Sequence, residues 1–266
     1  NHKLTNTLKN AIKIFLLKAF LRQIRVNVIV IFCSTVIKDY MIAAIMGATG
    51  LVGNALLSLL IESEQYSKVI VLGRSAPALV DHQFGAEKVQ FIACQIDEIH
   101  ELTLTDTVDH AFCCLGTTIK QAGSEEAFIQ VDKLAVVAFA TLCHQQRNPK
   151  LKFMVVTAQG ANAKSNLFYN RVKGEVEQVL IELHLPVLTI FQPSLLLGDR
   201  QHNRLLEGIG QSLFSALSWM FIGPLRQYKP ISASVVAESM YQRALASQIA
   251  PKVQKVTNLM MHKQHH

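Results

Sequence analysis

From Met41 onward, short apolar runs alternate with longer amphipathic stretches. The runs 42–46 (IAAIM), 68–72 (KVIVL), 89–93 (VQFIA), 110–115 (HAFCCL), 152–157 (KFMVVT) and 186–191 (PVLTIF) read as strands. Near-continuous apolar runs of this length suit strands covered on both faces. Helical periodicity falls between them, at 51–63, 124–146, 167–184 and 233–247, with a weaker stretch at 97–103. Strands alternating with helices predict an α/β fold, a Rossmann-type doubly wound parallel sheet with right-handed crossovers. Past Pro193 the alternation loosens. Residues 194–232 hold Gly198, Gly208, Gly210, Gly223, Pro224 and Pro230. They are expected to form a small C-terminal substrate lobe over the carboxyl edge of the sheet, where open α/β sheets bind ligands. The expected organisation is an extension at 1–40, a Rossmann domain at 41–193, the substrate lobe and last helix at 194–250, and a frayed tail at 251–266. Residues 211–222 (QSLFSALSWMFI) are apolar enough for core, lid or interface.

Composition supports one large domain. Half of the 266 residues are hydrophobic and only 7% are aromatic, as in a buried parallel sheet. The net charge of +7 first suggests an anionic partner, but its distribution argues against nucleic acid. Residues 1–40 hold seven Lys/Arg and one acid, which leaves 19 bases and 18 acids in the rest. The body is nearly neutral and carries no basic footprint.

The first forty residues are rich in Asn, Lys and Ile. Their longest apolar stretch, 26–37, has 12 residues, short of the roughly 18 of a membrane span. A signal peptide cut near Ala43 or Ala44 would remove the first strand. Three readings remain: a dispensable extension, a basic membrane-surface anchor, or translated sequence upstream of a start at Met41. Met41, directly before the first strand, favours the last. Membrane contact is expected only if the segment is genuine.

The five cysteines show no CxxC spacing. They read as buried thiols of a reduced, cytoplasmic protein. No His/Cys cluster has zinc spacing, so no metal is expected.

The chemistry begins at GATGLVG, Gly47 to Gly53. A glycine triplet alone is weak. This one follows an apolar strand and opens a helix, which is the context a dinucleotide turn requires. Gly47 makes the tight turn, Gly50 lets backbone approach a pyrophosphate, and Gly53 permits close helix–sheet packing. Thr49, Leu51 and Val52 complete the turn. The second strand ends in Gly73, Arg74 and Ser75, where NAD sites carry an acid for the ribose 2′-hydroxyl. An arginine fork suits a 2′-phosphate instead, so the expected cofactor is NADP(H). Ile96 and Asp97 after the third strand are placed to flank an adenine. Leu115, Gly116 and Thr117 after the fourth should line the dinucleotide.

Tyr169 and Lys173 stand four apart in FYNRVKGEVEQVLIEL, on one helical face. An ammonium one turn away favours the phenolate, so the pair can act as general acid toward a carbonyl or general base toward an alcohol. Thr157, at the end of the fifth strand, is the candidate hydroxyl for holding the substrate oxygen, with Ser165 in reserve. Pro193 would shape the nicotinamide pocket.

At this point the chain resembles a family, the atypical or extended short-chain dehydrogenase/reductases, and within it the Tat-interacting-protein-like oxidoreductases. The residues that carry this are GATGLVG, VLGR, FCCLGTT, NLFYNRVKGEVE and FQPSLLLGDR, from Met41 to about Arg200, with weaker similarity to Ala246. The resemblance implies NADP(H) held at Gly47, Gly50, Gly53 and Arg74, with Tyr169 and Lys173 as the catalytic pair. One departure matters: relatives usually carry Ser at the end of the fifth strand, where this chain has Thr157 and then Ala158. The expected activity is hydride transfer to or from a small carbonyl or alcohol. Two alternatives stand beside it. One is an NADP(H)-gated regulatory protein that binds a protein partner with little turnover. The other is a sugar-nucleotide epimerase-like enzyme, for which 194–232 is a short lobe.

Overall fold

The computed structural model describes residues 40–78, 85–197, 223–247 and 252–264. The chain divides into two units, Asn1–Tyr40 and Met41–His266. The expectations for the 1–40 extension, and those for most of the substrate lobe (residues 198–222), lie outside the described residues.

Seven strands form one sheet, in the order β3-β2-β1-β4-β5-β6-β9. They are β1 (Met41–Met46), β2 (Tyr66–Gly73), β3 (Val89–Ala93), β4 (His110–Cys113), β5 (Lys152–Val156), β6 (Val187–Gln192) and β9 (Val253–Thr257). Every neighbouring pair is parallel. The order reverses between β1 and β4, which places a topological switch point at their carboxyl ends. A separate parallel pair joins β7 (Leu196–Leu197) to β8 (Ile231–Ser232).

Both faces of the sheet are covered. The helices α1 (Leu51–Glu62) and α5 (Ala233–Leu245) pack on one side, through Leu56, Leu60, Val236 and Met240 against Ile45, Val71 and Phe112. On the other side lie α3 (Glu125–Gln145) and α4 (Phe168–Glu182), through Phe139, Val176 and Leu180 against Ala44, Phe153 and Ile190. This two-sided burial explains why the strands inside the sheet, β1, β2, β4, β5 and β6, read as apolar runs. A short helix, α2 (Ile119–Ala122), precedes α3. The weak stretch at 97–103 shortens to one 3-10 turn, Ile99–Glu101, pinned by buried Ile99.

The tail expected at 251–266 is overturned. Val253–Thr257 is the seventh strand and pairs with β6, and α6 (Asn258–Gln264) follows it. The run VQKVT hid this because β9 is an edge strand whose centre carries Gln254 and Lys255, where the other edge strand, β3, carries Phe91 and Ile92. Of its five residues only Val256 is fully buried, while Lys255 and Thr257 are exposed.

Among the described residues Cys94, Cys113, Cys114 and Cys143 are unbridged. Burial pushes the Cys113 thiol up to about 12, which makes it a poor nucleophile.

Candidate active site

The turn out of β1 is built by close approach of backbone to backbone. Gly47 has φ 87°, open to glycine at no steric cost. A Cβ on Gly47 would stand 2.6 Å from the Cys114 carbonyl carbon, and one on Gly53 would stand 2.1 Å from Gly47 O. Side chains are thus excluded at both ends of the turn. Gly50 N–H donates to Gly47 O at 3.0 Å and Gly50 caps α1 with no side-chain bond and no acid in the first turn. By contrast α2, α3 and α5 are capped by the side-chain oxygens of Thr118, Ser124 and Ser232. The start of α1 therefore has no side-chain cap, a feature it shares with α4, whose N-cap is Leu167. Thr49 and Gly50 are exposed, Leu51 is half-buried and Val52 is anchored in the core.

The next strand ends carry the other candidates. A Cβ on Gly73 would meet nothing within 4 Å. Arg74 and Ser75 are exposed, and among the described residues Arg74 has no ion-pair partner. Ile96 packs partly against the core, while Asp97 is exposed in a turn. After β4, Leu115 also packs against the core, and Gly116 is exposed. Thr117 N–H donates to Asp132 Oδ2 at 3.0 Å. Pro193 is buried, and its carbonyl accepts from Gln159 N–H at 2.9 Å, tying the exits of β5 and β6 together.

Tyr169 sits in the first turn of α4, its ring 5.5 Å from that of Phe128. Lys173, one turn on, is 3% exposed, and its Nζ lies 2.7 Å from Oδ1 of fully buried Asp132. Gly116 covers this pair: its Cβ would stand 3.8 Å from Asp132 Oδ1 and 3.9 Å from Lys173 Nζ. Asp132 was not among the sequence candidates. The sequence offered little signal, since Asp132 stands in the polar first half of α3 beside Lys133 and after Glu125 and Glu126.

Thr157 is committed elsewhere. Its hydroxyl donates to Glu177 Oε1 at 2.6 Å, and Glu177 also accepts from Gln192 Nε2 at 2.8 Å and Lys255 Nζ at 2.7 Å. A carboxylate that is ion-paired can only accept, so Thr157 must donate to it and can offer a ligand lone pairs alone. The expectation that Thr157 donates to a substrate oxygen does not hold in this arrangement, because the buried carboxylate claims its proton. Ser165 Oγ accepts from Leu167 N–H at 3.1 Å, which leaves its own proton uncommitted.

Gly174 is a second residue missed from sequence. A Cβ there would lie 2.1 Å from Ala163 N, so the loop after β5 rests directly on α4 beside Lys173. A glycine within a helix costs about 1 kcal/mol relative to alanine, and that cost was the legible hint of close packing.

Comparison with known proteins fixes the family. The chain is 32% identical over 178 residues to the protein HTATIP2 of Rattus norvegicus, covering 66% of this chain and 72% of that one. The chain belongs to the Tat-interacting-protein-like group of atypical short-chain dehydrogenase/reductases. It is also 29% identical over 235 residues to the mitochondrial protein FMP52 of Lodderomyces elongisporus, covering 80% and 92% of the two chains. No family model matches it. Solved structures share the fold. A short-chain dehydrogenase/reductase from Mycobacterium ulcerans matches with TM-score 0.60 at 15% identity, over 84% of this chain and 90% of that one. ElxO with NADP bound matches with TM-score 0.59 at 13% identity, over 84% and 99%. The cytoplasmic placement expected from the cysteines is overturned, because the fungal relatives of this group are mitochondrial proteins by name. Unbridged cysteines argue against an oxidising compartment and do not choose among the others.

Proposed function

We propose that this protein is an NADP(H)-dependent oxidoreductase of small carbonyl or alcohol compounds. The observation that carries the reading is the loop from Cys114 to Gly116. At one end it touches the glycine turn at Gly47, and at the other it covers Lys173. A phosphate-binding turn and a Tyr/Lys helix thus meet at one sheet edge, at the topological switch point.

The residues present fit a dinucleotide. The uncapped start of α1 and the bare turn at Gly47, Thr49, Gly50, Leu51, Val52 and Gly53 would take the pyrophosphate. Arg74 and Ser75, exposed beside open space at Gly73, would take a 2′-phosphate, since the strand end Gly73-Arg74-Ser75 itself carries no acid. Ile96 and Asp97 would flank the adenine. Leu115, Gly116, Thr117 and Pro193 would line the rest. ElxO, with the same fold, is a protein with NADP bound, which supports the choice of cofactor class.

A bound nicotinamide supplies the hydride. Tyr169 gives the proton to, or takes it from, the substrate oxygen, and Lys173 sets the charge around that phenol. NADPH oxidation with a panel of carbonyl compounds tests this. Tyr169→Phe is expected to lower turnover about a hundredfold or more. Equal turnover by parent and variant would remove Tyr169 from the role.

One observation favours a second reading, a protein gated by NADP(H) with little turnover: Thr157 gives its proton to Glu177. The same panel decides between them, since that reading requires NADPH binding without oxidation of NADPH by any carbonyl.

A further inference from the structure

Asp132 is fully buried within α3. Such a charge costs several kcal/mol unless it is paired and hydrogen-bonded. Its two oxygens are engaged differently: Oδ2 is hydrogen-bonded, whereas Oδ1 is held by charge alone and has no hydrogen-bond partner among the described residues. Oδ1 faces Lys173 Nζ at 2.7 Å and Oδ2 accepts from Thr117 N–H at 3.0 Å. The helix departs from its own regular ladder to deliver it. Residues Gln130–Leu134 form a single π-helical turn within Glu125–Gln145, an interruption that recurs at functional sites.

The surroundings show what that carboxylate joins. Above it lies Gly116, exposed at the ligand edge and separated from the pair by no more than ordinary contact distance. Along α4, Tyr169 stands one turn before Lys173, and Glu177 one turn after. Glu177 is held by Lys255 and Gln192, not by Lys173. Lys133, next to Asp132, pairs with Glu175 at 2.7 Å in a half-exposed contact between the same two helices. The two neighbouring pairs therefore differ in kind. The half-exposed one ties helix to helix. The buried one also ties both helices to the loop after β4.

We propose that Asp132 is a positioning residue that latches the Leu115–Thr118 loop to Lys173 through one carboxylate. The wall of the ligand edge and the ammonium beneath it are then set together. A dinucleotide that presses on Gly116 and Thr117 meets a lysine whose place is already fixed. The inference rests on the oxidoreductase reading for what the ligand is, but the latch itself can be tested without any ligand.

Two measurements test it: amide exchange of Thr117 in the free protein, and the NADPH dissociation constant. Lys173→Met leaves the Thr117 hydrogen bond intact, yet it should speed Thr117 exchange about tenfold or more, because the carboxylate loses its anchor. Asp132→Asn keeps an acceptor for Thr117 and removes the charge, and it should weaken NADPH binding about tenfold or more. Glu175→Gln, at the half-exposed pair, should stay within about twofold of the parent in both. Each single variant strands a buried charge, so a variant that buries none separates the latch from misfolding. The double variant Asp132→Leu/Lys173→Met buries no charge and is expected to melt near the parent, while its Thr117 amide still exchanges about tenfold faster. Unchanged Thr117 exchange in Lys173→Met or in the double variant would overturn the latch, as would parent-like NADPH affinity in Asp132→Asn. A parent that fails to bind NADPH would instead sink the cofactor reading, and the exchange measurement would still decide the latch.

Discussion

A chain ended after Ala250 is expected to lose its cooperative unfolding transition. The removed segment supplies β9, which pairs with β6 from Leu188–Val253 to Gln192–Thr257. It also supplies Val256 and Met261, both fully buried. Emptying a buried aliphatic site costs roughly 2–5 kcal/mol. Lys255 goes with the segment, leaving Glu177 as a buried carboxylate without its cation, a loss of roughly 3–5 kcal/mol. Asn258 goes too. Its Oδ1 accepts from Ser194 N–H, and its Nδ2 donates to the carbonyls of Gln227 and Lys229, so one side chain holds the chain after β6 to the chain before β8. Together these losses match the whole stability of an ordinary domain, about 5–15 kcal/mol. Urea unfolding followed by circular dichroism checks the expectation. Removal of His265 and His266 alone should change nothing. A parent-like midpoint for the chain ended after Ala250 would mean that β9 is dispensable.

Acid should destabilise this protein well above the range in which carboxylates titrate, and His110 should be the reason. Burial first, and then the nearby Lys152 ammonium, push its imidazole from 6.5 down to about 3. Its Nδ1 shares a 2.7 Å hydrogen bond with the Tyr66 hydroxyl, whose own titration burial pushes far upward. Edge contacts with the rings of Tyr66 and Phe112 surround it. In the folded state the ring is thus neutral at any pH above about 3, whereas in the unfolded chain it takes up a proton below about 6.5. The unfolded state binds more protons throughout that window. Stability is therefore fully present above about 6.5 and falls as pH drops toward 3, by about 1.4 kcal/mol per unit. Between pH 7 and pH 5 the contribution is about 2 kcal/mol, and across the window it is on the order of 4 kcal/mol. His110→Gln keeps an acceptor for Tyr66 and removes the titration. Urea-derived stabilities should fall about 2 kcal/mol less in the variant than in the parent over pH 7 to 5. Parallel slopes would show that another group governs the acid limb.

What could be read from the chain, and what could not, follows burial. Strands β1, β2, β4, β5 and β6 lie inside the sheet and are largely buried, so each appears as an apolar run; β3 is an edge strand with no buried residue, and its Val89, Phe91 and Ile92 made it visible by composition. Strand β9 is the other edge strand, and its Gln254 and Lys255 left too few apolar positions, so it read as tail. The glycine turn was legible because three glycines in a strand–turn–helix context leave few other uses. The placement of Tyr169 and Lys173 one turn apart on α4 was legible from helical spacing. Asp132 was not, because its partner lies on another helix and only the folded topology brings them together. Thr157 was found at the right strand end, but sequence could not show which neighbour would claim its proton. That neighbour was half in view: Glu177 lies eight residues past Tyr169, on the same face of α4 as Lys173. Its depth beneath the site became visible only with β6 and β9 in place.

The central claim is a dinucleotide site at the Gly47 turn, tuned by Arg74 for a 2′-phosphate. Calorimetric titration of the intact protein with NADPH and with NADH tests it most directly. NADPH is expected to bind at one site per chain, about tenfold or more tighter than NADH, since a bidentate arginine–phosphate contact is worth at least about 1.4 kcal/mol. NADH binding equal to or tighter than NADPH, or no binding of either, would contradict it.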